Sequence, residues 1–136
     1  MGVSRTSFVP PGAVTGEILM FGLGPATKIF LSVAAVDMRK GFNGLYGLVR
    51  DQLGQDPTSG HLFLFANKQR TRVKVLVWDG SGLWVCSKRL EKGRFRWPLE
   101  KEKTLCVTMR GEELAMLLNG LDPAQSRRRN WYQLAS

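Results

Sequence analysis

Two alternating runs separated by four turn-forming residues constrain this chain more than anything else in it. Arg72–Trp78 (RVKVLVW) and Leu83–Leu90 (LWVCSKRL) flank Asp79-Gly80-Ser81-Gly82. Period-two runs rich in β-branched residues, joined through Gly-Ser, predict an antiparallel hairpin with Gly80 and Ser81 as its loop. That turn sets the register: Trp78 faces Leu83, Val77 faces Trp84 and Val75 faces Cys86. Alternation then puts Val73, Val75, Val77, Trp84 and Cys86 on one face, toward a core. The opposite face carries Arg72, Lys74, Leu76, Trp78, Val85 and Arg89, too apolar at one end to be purely solvated.

The remaining elements follow from period and punctuation. Thr27–Val33 (TKIFLSV) reads as a strand, and Leu62–Ala66 (LFLFA) as a short, fully buried one. Between them Asp37 opens a helical stretch to about Leu53, with Phe42, Leu45, Val49 and Leu53 at helical spacing. Gly41, Gly44 and Gly47 fall three apart on that helix. Each weakens it by up to about 1 kcal/mol relative to alanine, so the stripe is expected to pack closely against a sheet. Thr104–Thr108 is a further strand, and Glu112–Asn119 a short helix with Leu114, Leu117, Leu118 and Leu121 on one side. Gly120 is its C-terminal cap. The expected fold class is α+β: an antiparallel sheet of about five strands, open or partly closed, with one longer and one short helix packed on it. Residues 1–26, with Pro10-Pro11-Gly12 and Gly22-Leu23-Gly24-Pro25, read as a flexible extension, 27–122 as a single domain and 123–136 as a basic tail.

Charge points to the partner. The formal net charge is +9 and the sequence pI about 10.2 over 136 residues, which suits a polyanion. From His61 to Lys103 eleven Lys/Arg stand against four acids, and the last fourteen residues add Arg127, Arg128 and Arg129 with none. The candidate nucleic-acid-binding residues are Arg72, Lys74, Lys88, Arg89, Lys92, Arg94 and Arg96, with Arg127, Arg128 and Arg129 in the tail. Trp78 and Trp97, interleaved with them, are candidates for a partner interface or for base stacking. In Gly93–Pro98 the alternation sends Arg94 and Arg96 to one side, Phe95 and Trp97 to the other.

Candidate chemistry is sparse, and no catalytic residue, metal ligand or cofactor is expected. The single histidine, His61, excludes paired-histidine sites built by this chain alone. Cys86 and Cys106 lie twenty apart, not in a metal-binding knuckle. Asp79 ends an apolar strand, a place where a metal-binding carboxylate could stand. In the hairpin register, however, Glu91 lies about nine residues along from it, roughly 30 Å away at 3.3 Å per residue. Asp79 is therefore read as a turn residue bonding nearby amides. No apolar run approaches a membrane span and no signal sequence is evident, so the cytoplasm is the expected compartment, with the cysteines reduced.

Several strings together resemble one family. These are Asp37–Phe42 (DMRKGF), Ser59–Phe65 (SGHLFLF), Lys74–Leu83 (KVLVWDGSGL), Lys88–Pro98 (KRLEKGRFRWP) and Leu117–Asp122 (LLNGLD). In this order and spacing, from about Met20 to Asp122, they look like the TnpB accessory protein of the insertion-sequence sixty-six group, unrelated to the RNA-guided nucleases of the same name. The resemblance implies a bacterial, cytoplasmic protein needed for transposition beside a separate transposase; together with the clustered charge it makes element DNA and that transposase the expected partners of a non-catalytic protein. It carries over no catalytic residue. Residues 1–19 lie before the usual family start. Where the family commonly has a capping Thr, Arg110 stands, leaving Thr108 as the expected cap. Two alternatives remain at this point: an adaptor that grips the transposase through Trp78 and Trp97 without touching DNA, and a small metal-dependent nuclease using Asp79 with Asp37 or Asp56.

Overall fold

The structure is a computed structural model that describes residues 26–98, 104–121 and the backbone of 133–134. The expected N-terminal extension therefore lies almost wholly outside the described residues, as do Arg127, Arg128 and Arg129. The described chain is α+β. Strands β1 (Ile29–Ser32), β2 (Leu62–Ala66), β3 (Arg72–Trp78), β4 (Leu83–Arg89), β5 (Cys106–Met109) and β6 (Gln133–Leu134) form one open sheet in the order β4-β3-β2-β1-β5-β6. Helix α1 (Phe42–Gly47) runs on into a π-helical turn, Leu48–Gln52, and α2 spans Gly111–Leu118.

The hairpin has the register its sequence dictates, from Arg72↔Arg89 through Val75↔Cys86 and Val77↔Trp84 to Trp78↔Leu83. All pairs are antiparallel except β1–β2, which are parallel. Parallel neighbours need a long crossover, and residues 33–61, carrying α1, supply it. Because β1 and β2 lie mid-sheet with a helix over each face, they are apolar at nearly every position. Leu62, Phe63, Leu64, Phe65 and Ala66 are all fully buried. The LFLFA run is the signature of that two-sided burial.

Two cores result. On one face Ile29, Leu31, Leu64, Val75, Val77 and Cys86 pack against Leu114, Leu117 and Leu118 of α2, with Phe95 closing the end. On the other, Phe30, Phe63, Phe65 and Leu76 pack against Leu45 and Val49 of the α1 segment. The mixed face of β3 is thus half core: Leu76 is buried beneath α1.

Helix α1 departs from expectation in three ways. It begins at Phe42, not Asp37, because Asp37 instead forms an Asx turn in which its Oδ1 accepts the Arg39 N–H at 2.8 Å. Phe42 is 52% exposed rather than part of the buried stripe. The glycine stripe does not meet the sheet. A methyl group on Gly44 would meet only the Lys40 side chain, and one on Gly47 only Asp51 at 4.0 Å. The segment ends in wide i→i−5 geometry, Leu53 N–H to Leu48 O at 3.0 Å.

Helix α2 is closed at both ends. Arg110 is the N-cap, and the buried Glu113 carboxylate accepts the Arg110 N–H at 2.8 Å. The cap therefore comes from Glu113 inside the helix, not from Thr108, which stays in β5 opposite Phe30. At the C-terminus Gly120 takes φ 76° while its N–H bonds Leu117 O and the Leu121 N–H bonds Met116 O, the paired bonds of a Schellman ending. The tail also returns to the sheet, since Gln133–Leu134 pair with Thr108 and Val107.

These contacts rank two substitutions. Leu117→Ala empties fully buried volume and is expected to destabilise by about 2–5 kcal/mol, whereas Gly120→Ala forces a Cβ into a left-handed conformation for about 1–2 kcal/mol. Urea denaturation of both variants checks the order; an equal loss would mean that α2 does not anchor its face.

Candidate nucleic-acid interface

The cations of β3 and β4 separate into two groups once their bonds are traced. Lys74 projects to the α1 side, where its Nζ donates to the carbonyls of Met38 at 2.7 Å and Lys40 at 2.8 Å. Lys88 lies opposite Val73, on the α2 side, and its Nζ donates to Leu118 O at 2.7 Å. A cation there suits the negative end of the helix dipole. Both lysines, expected in the binding set, are therefore tie-points on opposite faces, Lys74 to the loop before α1 and Lys88 to the end of α2.

The other candidates remain outward. Arg72 and Arg89 stand directly opposite one another at the open end of the hairpin. Like charges so placed repel. Glu91 answers Arg89 at 3.1 Å, but both partners are more than half exposed, so the pairing is weak. Lys92, Arg94 and Arg96 are exposed in the segment after β4, while Phe95 and Trp97 turn inward as their alternation requires. That segment is pinned to the same end of the sheet by Phe95 N–H donating to Arg70 O at 2.7 Å.

Sequence reasoning overlooked further cations at this end. Arg39, Lys68 and Arg72 line one shallow depression of about 370 Å³ with Val36, Asp37 and Asn67. Lys40 is brought in by Lys74. Arg70 donates to Val33 O at 3.0 Å and its guanidinium lies 5.6 Å from the Trp97 ring centre. The charge window drawn from His61 onward excluded Arg39 and Lys40, which reach the patch only through the crossover; the one local signal was the Asp-x-Arg turn at 37–39.

The tryptophans do not share a surface. Trp97 packs on the α2-side core and its indole donates to Ser32 O at 2.8 Å, so it is a structural clasp. Trp78 is half-buried near the hairpin turn, about 20 Å along β3 from Arg72 at 3.3 Å per residue.

The candidate metal carboxylate is already occupied. Asp79 Oδ1 accepts the amides of Ser81 and Gly82, each at 2.9 Å, and Oδ2 accepts the Trp84 indole N–H. The Trp84 bond, then those amides, hold its carboxyl down at about 2. Among the described residues no three His, Cys, Asp or Glu side chains cluster closely enough to hold a metal ion. His61 accepts the Lys28 N–H on Nδ1 at 3.0 Å, and burial lowers its pKa. Cys86 and Cys106 are buried on opposite faces, and burial pushes the Cys106 thiol up to about 11. Among the described residues no helix is long and apolar enough to cross a membrane.

These features define a small basic α+β protein whose sheet is covered on both faces, with several outward cations around the open end of the β3–β4 hairpin. Its residues 27–128 match the model of the family described as IS66 Orf2 like protein, and the chain belongs to that family. Its place is thus that of an accessory protein of transposition. It is 37% identical over 110 residues to the uncharacterized protein y4jC of Sinorhizobium fredii, covering 81% of this chain and 92% of that protein. A second uncharacterized protein of the same organism, y4hO, is 32% identical over 103 residues, covering 76% and 88%. No solved structure matches the chain.

The Asp79 bonds make a pH prediction. The folded carboxyl titrates near 2, below its unfolded value of about 3.9. Its bonds therefore contribute fully above about pH 4 and are lost as the pH falls toward 2. Asp79→Asn is expected to melt below the parent protein at neutral pH, with the gap closing at about pH 2. Thermal melts across that range measure it; a gap of constant size would remove the carboxylate from the turn's energetics. In the same assay Lys74→Ala and Lys88→Ala should lower the melting temperature while Arg94→Ala and Arg96→Ala leave it unchanged.

Proposed function

We propose that this protein is a non-catalytic, cytoplasmic accessory factor of bacterial transposition that binds element DNA through the cationic end of its sheet, beside a separately encoded transposase. Arg72, Arg89, Lys92, Arg94 and Arg96 are its phosphate-contacting residues, with Arg127, Arg128 and Arg129, outside the described residues, as further candidates. The observation that carries this reading is the opposed pair Arg72↔Arg89. Two arginines at directly paired strand positions put like charges side by side, a cost that a polyanion offsets. Such local conflicts with stability concentrate at functional sites.

The transposase contact is a second, compatible surface. Trp78 is half-buried at the far end of β3 from these arginines, so one end can hold DNA while the other meets protein. Trp97, already engaged with Ser32, is not part of that surface. A nuclease reading is disfavoured by the four donors that Asp79 already accepts.

Duplex affinity should fall steeply with salt. Neutralising about five phosphates, one for each of the described cations, predicts a loss of roughly 500-fold between about 50 and 200 mM salt. The double variant Arg94→Ala/Arg96→Ala should weaken binding to all sequences and flatten the slope by about two. Filter binding across a salt series measures both, and the absence of retention at low salt would refute DNA binding. Trp78→Ala should abolish co-purification with the transposase and leave DNA retention intact.

A further inference from the structure

We propose that the depression between residues 36–39 and the 67–72 turn seats one backbone phosphate of a nucleic-acid strand, and that an unpaired base beside that phosphate stacks on Phe42. This rests on reading the cationic end as a nucleic-acid surface and goes further, to an unpaired strand as the preferred ligand.

Three cations, Arg39, Lys68 and Arg72, line the depression, against one carboxylate, Asp37. That carboxylate is already bound to Arg39, with Nη2–Oδ2 at 2.7 Å. The Arg39 side chain is 90% exposed, and so open a pair exchanges readily for a phosphate. Arg72 and Lys68 are exposed. Both walls are fixed before any ligand arrives. On one side Lys74 Nζ holds the carbonyls of Met38 and Lys40. On the other, Asn67 Oδ1 accepts the amides of Thr71 at 2.9 Å and Arg72 at 3.0 Å. Val36 N–H bonds Ala66 O at 2.9 Å, joining the two walls. A seat held this way binds an anion without paying to order its loops.

Phe42 supplies what phosphate contacts lack. It opens α1 two residues after Lys40, whose carbonyl is tied to the sheet by Lys74, and it is 52% exposed. A large exposed apolar ring three residues along the chain from Arg39 has the make-up of a stacking platform for bases. A closed duplex presents phosphates but keeps its base faces inside the stack, so only an unpaired stretch uses both features.

Fluorescence anisotropy of the full chain, with a labelled oligothymidylate and a labelled duplex of equal length at low salt, tests this. Arg39→Ala, Lys68→Ala and Arg72→Ala are each expected to weaken both ligands. Phe42→Ala should weaken the single strand about tenfold, the loss of one stacked base, leave the duplex unchanged, and be rescued by Phe42→Trp. Unchanged melting temperatures for the Phe42 variants would tie the loss to the ring. If Phe42→Ala affects both ligands equally or neither, the stacking platform is overturned. If Arg94→Ala/Arg96→Ala weakens binding and the three depression variants do not, the phosphate seat is overturned while the broader nucleic-acid reading stands. No binding of either ligand overturns both.

Discussion

Everything else in this fold is arranged around the parallel pairing of β1 with β2. A parallel pair cannot be joined by a tight turn, so the chain must leave the sheet after Ser32 and return at Leu62. The crossover carries α1 over one face, where Leu45 and Val49 cover Phe30, Phe63 and Phe65. The other face is then left for α2, and β1 and β2 are sealed between the two helices. The same excursion brings the Asp37–Lys40 loop back against the start of β3, where Lys74 captures its carbonyls. The cationic end of the molecule is therefore a by-product of the topology that buries the centre.

The hairpin was legible because its determinants are local. Gly80 and Ser81 set the loop, the alternation of Val73, Val75 and Val77 set the face, and Asp79 had amides within reach. The LFLFA run was equally plain, since only burial on both sides tolerates five consecutive apolar residues. Phe95 and Trp97 fell to the inner side as their spacing required.

Part of what escaped the sequence depends on contacts thirty or more residues apart, and part on local competition. Nothing near Lys74 or Lys88 announces that one holds a loop at residues 38–40 and the other the end of α2 at Leu118. The three-residue glycine period suggested close packing, yet Gly41 and Gly47 face open space or the helix's own side chains. Helical periodicity also could not locate the start of α1, because the Asx turn at Asp37 competes with the first helical turn. Trp97 offered an aromatic beside arginines, the composition of an interface; its indole N–H had a buried carbonyl to satisfy instead.

This sorting changes what net charge says about the protein. A lysine whose ammonium donates to backbone carbonyls lends its charge to the fold and is less free to neutralise a phosphate as well, so the proposed binding set omits Lys74 and Lys88 even though they lie within its densest stretch of sequence. Arg39 and Lys68 enter it from outside or from the turn, because three-dimensional proximity to Arg72 is what concentrates potential. The two carboxylates nearby, Asp37 and Glu91, offset part of that charge but are held only loosely. Each pairs with its own exposed arginine across water, a contact worth at most about 1 kcal/mol, which a phosphate at the same guanidinium replaces without leaving a buried charge behind. An end built from exposed pairs is thus weakly committed to itself, so the proposed phosphate contacts would replace those pairs without disrupting the fold.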